Sequence, residues 1–133
     1  MTGNDNPFPD ASFKDHEFTR SDLSGVRFNG CDLSDATVWA VMTQARFNDC
    51  NLSSCVFDDV NLSGSTFENV NLSQASFNVA NLSNVSLSNL DLSSTSIKDA
   101  NMAGVTIKDA NMTGMTIDGV LVTDLFAAYE KSR

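Results

Sequence analysis

The side chains of this chain that could do chemistry are three cysteines, one histidine, seventeen serines and an excess of carboxylates. Zinc needs about four converging ligands at recognisable spacings. Cys31, Cys50 and Cys55 show none of those spacings. His16 could act as a general base only beside a nucleophile and an orienting group. The sequence places neither next to it, and no strained G-x-S-x-G nucleophile turn occurs. The serines recur at fixed places, as in the repeated NLS triplets, which marks them as turn residues rather than nucleophiles. No glycine-rich loop is present to cradle a phosphate. The reading assigns no catalytic residue, no metal ligand and no cofactor.

Charge narrows the partners. Among 133 residues, 8 are basic and 17 acidic, a net charge of −9. A nucleic-acid binder needs a basic footprint, so direct contact with DNA or RNA is not expected. Docking on an anionic membrane is disfavoured for the same reason. No apolar run approaches the roughly 18 residues that span a bilayer. The opening MTGNDNPFPD has neither the basic start nor the apolar stretch of a signal peptide. The expected compartment is the cytosol, with all three cysteines as free thiols.

The elements that must hold these side chains follow a period of five. Large apolar residues recur at Phe13, Phe18, Leu23, Phe28, Leu33 and Val38, and again from Phe47, Leu52, Phe57 and Leu62 through Met112 and Ile117. Two residues before each centre sits a smaller one, such as Ala36, Ala45, Val60, Ala75 or Val85. All three cysteines, and His16, fall in that small slot. Period five fits neither a helix nor a flat strand. A chain that turns a corner every five residues puts each centre inside, and four corners close a square coil. Stacked coils then pair like parallel strands, about 4.8 Å apart. Tandem units such as NLSSCVF, NLSGSTF, NLSQASF and DLSDATV resemble the pentapeptide repeat family. The resemblance implies an all-β fold: a right-handed quadrilateral parallel β-helix of about five to six coils over residues 11–122.

The register slips once. Val38 to Phe47 is nine residues instead of ten. Taking Met42 as a further centre, in one coil of nineteen residues, restores four consistent columns. One holds Phe28, Phe47, Phe67, Leu87 and Ile107; another holds Phe18, Val38, Phe57, Phe77, Ile97 and Ile117. Leucine and methionine fill most of the other two. Asn51, Asn71 and Asn111 should stack with Asp91, and Asn61 with Asn81 and Asn101, bonding to one another and to backbone.

The ends depart from the repeat. Residues 1–10 form an N-terminal segment or cap in which Phe8 keeps the five-residue grid. Residues 123–133 form a C-terminal helix and tail, with Thr123 as N-cap. Val122, Leu125, Phe126 and Tyr129 share one helical face. That face is expected to lie across the last coil as a lid, or else to form a homodimer.

Outward positions supply the candidate site. The sides centred on phenylalanine and isoleucine carry most of the charge. One of them presents Glu17, Arg20, Trp39, Asp58 and Asp59, with Trp39 directly at the register slip. Tryptophan is over-represented at binding hot spots, although the slip could also turn Trp39 inward. The expected function is a non-enzymatic scaffold that offers a rigid acidic and polar face to a protein partner. Resemblance to the Qnr-type members of the family implies an alternative, a DNA mimic that binds DNA gyrase or another type II topoisomerase. A further alternative is an immunity or effector-associated accessory protein.

Overall fold

The computed structural model describes residues 8–9 and 12–132, the side chains of residues 8, 9, 20 and 21 excepted. Most of the proposed N-terminal segment lies outside the described residues.

Each corner has the same local cause. Two residues after a centre the backbone takes a left-handed conformation, as at Asp35, Ser54, Asn69, Asn84, Asn89 and Asp109. Asn and Asp tolerate that region better than other non-glycine residues, and glycine at Gly64, Gly104 and Gly114 enters it without strain. A second device tightens alternate corners. The side-chain oxygens of Asn51, Asn61, Asn71, Asn81, Asp91, Asn101 and Asn111 accept the backbone N–H two residues later, at 2.8–3.1 Å. These are Asx turns. The expected amide stacks are therefore corrected in one respect: the column forms, but its oxygens are spent on the local turn. Asp22 and Asp32 do the same towards Ser24 and Ser34, whose hydroxyl and N–H groups hold both carboxyls below the ordinary carboxylate value.

The strands on two sides of the square pair into parallel sheets. One holds β1 (Phe8–Pro9), β3 (Arg27–Asn29), β5 (Arg46–Asn48), β7 (Thr66–Asn71), β9 (Ser86–Asp91) and β11 (Thr106–Asn111). The other holds β2 (Glu17–Asp22), β4 (Thr37–Val41), β6 (Val56–Asn61), β8 (Ser76–Asn81), β10 (Ser96–Asn101) and β12 (Thr116–Ile117). Phe47 pairs with Phe67 and Phe57 with Phe77, one coil of twenty residues apart. The chain is thus the right-handed β-solenoid that the repeat implies. Phe8 pairs with Phe28, so it takes the first rung of its column.

The centres make one continuous core. Phe47 and Phe67 stack at 4.6 Å between ring centres, as do Phe57 and Phe77. Leu33, Leu52, Leu72 and Leu92 are buried in a neighbouring column. Polar residues in the small slots are satisfied: Ser65 donates to the Met42 carbonyl at 2.8 Å and Thr95 to the Leu72 carbonyl at 2.7 Å. Burial fades toward both ends, where Phe13, Phe18, Leu23, Met102, Ile107 and Met112 are only partly covered.

The C-terminal end closes differently from the expected lid. β13 (Val120–Leu121) turns back at Asp118 and Gly119 and pairs antiparallel with β12. Helix α1 (Val122–Ser132) follows directly, so Thr123 lies inside its first turn rather than capping it. Val122 is buried, and its N–H bonds the Met115 carbonyl at 3.0 Å. Leu125, Phe126 and Tyr129 remain 48%, 53% and 61% exposed. Those three do not cover the last coil: only Val122 docks, because the hairpin occupies the edge on which the helix would have lain.

Candidate protein-interaction face

The seven-stranded sheet, with β13 as its outer strand, carries the candidate residues. Along each strand the centre points inward, so the residues on either side of it point out. Repetition at twenty residues arranges the outward side chains in columns. Glu17 pairs with Thr37, and Thr37 with Val56. In a parallel column Thr19 pairs with Trp39, and Asp58 pairs with Asn78, which pairs with Lys98.

The register slip has a definite place. Thr19 opposes Trp39 at a spacing of twenty, but Ser21 opposes Ala40 at nineteen. The residue lost is the left-handed corner itself, and β4 runs on as one strand through Trp39 and Ala40. Arg20 below has no counterpart in this coil, and above it Val38 still pairs with Phe57 while Val41 pairs with Asn61. Trp39 points outward at 39% exposure, and its Nε1–H donates to Asp59 Oδ2 at 3.1 Å. Asp58 accepts a bond from Asn78 Nδ2 at 3.3 Å. Trp39 and Asp59 are therefore joined across the slip, with Asp58 exposed next to Asp59 in β6. Glu17 is exposed on the same sheet in the neighbouring column, and Arg20 lies in β2 at the corner below Trp39.

Two residues of this region escaped the sequence reading. Val41 and Val79 are 42% and 50% exposed beside the same corner. Val79 was marked only by being a valine where the other left-handed corners carry Asp, Asn, Gln, Ser or Gly.

Other chemically capable groups are engaged elsewhere. Cys31, Cys50 and Cys55 are buried and free. Cys50 Sγ donates to the carbonyls of Phe28 and Asn48 at 3.3 Å. Burial pushes the Cys50 thiol up to about 11 and that of Cys55 to about 12, the opposite of what a nucleophile needs. His16 is exposed, its ring 4.7 Å from that of Phe18 and 5.9 Å from that of Phe13. It occupies a small slot, but in a coil too near the open end to enclose it. Among the described residues no three His, Cys, Asp or Glu converge as metal ligands, and no helix is long and apolar enough to cross a membrane.

Known proteins match this geometry. The description "Pentapeptide repeat region" fits residues 40–117, and "Pentapeptide repeats (8 copies)" fits residues 8–37. A pentapeptide repeat protein, Rfr23 from the cyanobacterium Cyanothece 51142, is similar with a TM-score of 0.55 at 19% identity, over 84% of this chain and 86% of that one. QnrB1, a plasmid-mediated fluoroquinolone resistance protein, is similar with a TM-score of 0.51 at 23% identity, over 80% of this chain and 63% of that one. No curated protein matches the sequence. With its repeats matched over more than half its length and its coils built as described, the chain belongs to the pentapeptide repeat family.

Proposed function

We infer that this protein is a non-enzymatic scaffold that binds a protein partner through the outer face of its seven-stranded sheet. The observation that carries the reading is the Trp39–Asp59 pair at the missing corner, with Asp58 beside it, on a face that also bears Glu17. Paired strands on either side of the slip hold the face in place, so little ordering is required on binding. The buried thiols of Cys31, Cys50 and Cys55 support a reducing compartment, the cytosol. Capture from native lysate with wild type and Trp39→Ala tests the reading. Loss of one reproducible partner with the variant supports it; identical captured sets contradict it.

A second reading rests on the exposed Leu125, Phe126 and Tyr129. Paired with a second copy, that apolar end would join two solenoids into one longer acidic rod, a shape suited to imitating DNA toward a type II topoisomerase. Gyrase supercoiling assays with and without a fluoroquinolone test it. Protection that disappears with Phe126→Glu supports it, and no protection from the wild type rejects it. The immunity or effector-associated alternative has no residue of its own to argue from.

A further inference from the structure

A shallow groove runs along the solenoid axis beside the missing corner. Its floor is the column of small slots, Ala40, Val60 and Ala80. One wall is the corner column of Asp59, Val79 and Asp99, with Trp39 standing where the lost corner would continue it. Val41, Asp22 and the asparagines of the Asx turns make the other.

The fold itself explains the groove, because the opposite sheet has one like it. There Cys50, Val70 and Leu90 form the floor, and both walls are polar: Asp49, Asn69 and Asn89 on one side, asparagines and Asp91 on the other. The two grooves share backbone geometry and differ in their side chains. Three departures from the repeat fall in the first groove, and all replace polar side chains with exposed apolar ones. The lost corner puts Trp39 on the wall. Val41 stands where the next coils have Asn61 and Asn81. Val79 stands between Asp59 and Asp99 with φ +52°.

Val79 is the most informative of the three. Among the described residues with left-handed backbone it is the one β-branched side chain. A β-branched residue there is a genuine outlier, and such strain persists where the rest of the structure over-determines it, often at functional sites. Asparagine at the same place would relieve the strain, as Asn69 and Asn89 show in the other groove. Half exposed, Val79 gains little from core packing in return.

We propose that this groove binds an extended segment of a partner protein in which two basic side chains flank an aliphatic one. The inference rests on the protein-binding reading and specifies the partner's chemistry. Trp39 offers an indole for a guanidinium or ammonium, with Asp59 hydrogen-bonded at its edge to share the charge. Val79 and Val41 receive the aliphatic side chain, and Asp99 pairs with the second cation. Dimensions agree. Trp39 to Asp99 spans three coil steps, about 14 Å at the spacing of paired strands, and four residues of extended chain span about 13.6 Å.

The probe is the peptide acetyl-Lys-Arg-Ser-Leu-Ser-Arg-Lys-amide, titrated against the full chain while following fluorescence from Trp39, the only tryptophan. Wild type is expected to give saturable binding with a Trp39 spectral change. Exchanging the peptide's leucine for serine, or its arginines for glutamates, should weaken binding at least ten-fold. Val79→Asn should melt at a higher temperature than wild type and yet bind at least ten-fold more weakly. No saturable binding by wild type, equal binding of the serine peptide, undiminished affinity of Val79→Asn, or no rise in its melting temperature would each overturn the proposal. The broader face reading is tested separately by partner capture with Glu17→Lys and Asp58→Lys, which lie outside the groove. Loss of capture there, with the groove experiment negative, removes the groove alone.

Discussion

Replacing Phe67 with alanine removes a ring from the middle of its column. Phe67 is fully buried and lies parallel to Phe47 at 4.6 Å, with Leu87 as its register partner on the other side. Both neighbours belong to strands fixed at ladder spacing, so neither can move in to fill the void. A Phe→Ala change in a core costs about 3–5 kcal/mol, and the poor capacity to collapse argues for the upper half. Against a total stability of about 5–15 kcal/mol, that is a large fraction. At this chain length each kcal/mol lowers the melting temperature by about 3–5 °C, so a drop of about 12–25 °C is expected. Urea denaturation followed by circular dichroism and Trp39 fluorescence measures the loss directly, with an unchanged m-value confirming that the unfolding unit is the same. Phe13→Ala, at the partly covered first coil, should cost less than half as much. A loss below about 1 kcal/mol at Phe67 would refute the stacked-column account.

Other expectations can be checked independently. Cys50 and Cys55 should resist a thiol reagent at pH 8 in the folded protein, and mass spectrometry should count three labelled thiols after unfolding. Because burial raises both thiols above their ordinary value of 9.0, to about 11 and about 12, the unfolded chain loses these protons first as pH rises. Stability should therefore fall between about pH 9 and 12, and a flat alkaline profile would contradict the burial. Asn71→Ala should lose about 0.5–1.5 kcal/mol with its bond to the Ser73 N–H, while Asn71→Asp should be tolerated, as Asp91 already makes the same turn. Light scattering should find a dimer that Leu125→Glu with Phe126→Glu converts to a monomer; a monomeric wild type at high concentration would exclude the apolar end as a self-interface.

Much of the architecture was readable because the repeat makes each position speak many times. One leucine at position 62 says little, but leucines at 52, 62, 72 and 82 in a five-residue grid fix which side chains face inward. The same redundancy placed the short coil between Val38 and Phe47 from column composition alone. Reading failed where redundancy ends. At residues 118–126 the chain leaves the grid, and helical spacing could show that Val122, Leu125, Phe126 and Tyr129 share a face but not what the face meets. The hairpin that displaces the helix depends on Asp118 and Gly119 turning the strand back, a choice that a two-residue signal cannot announce. His16 sat on the right grid, but burial fades in the coil of Phe13, Phe18 and Leu23, and His16 stays exposed there. At the candidate face, the carboxylates were evident as charge, whereas Val41 and Val79 were hidden because valine is ordinary in a β-rich sequence. Only the left-handed backbone makes Val79 exceptional.

Placement of recognition on one side of the solenoid is tested most directly by comparing matched charge reversals on its two strand faces. One triple variant carries Glu17→Lys, Asp58→Lys and Asp59→Lys; the other carries Asp49→Lys, Glu68→Lys and Asp109→Lys on the opposite sheet. Both change the net charge from −9 to −3, since each reversal adds two units, and both alter exposed positions that leave the core intact. Quantitative partner capture, with circular dichroism confirming the fold, should show the first variant losing its partner and the second retaining it. Equal retention, or equal loss, would contradict the assignment of binding to the face that bears Trp39.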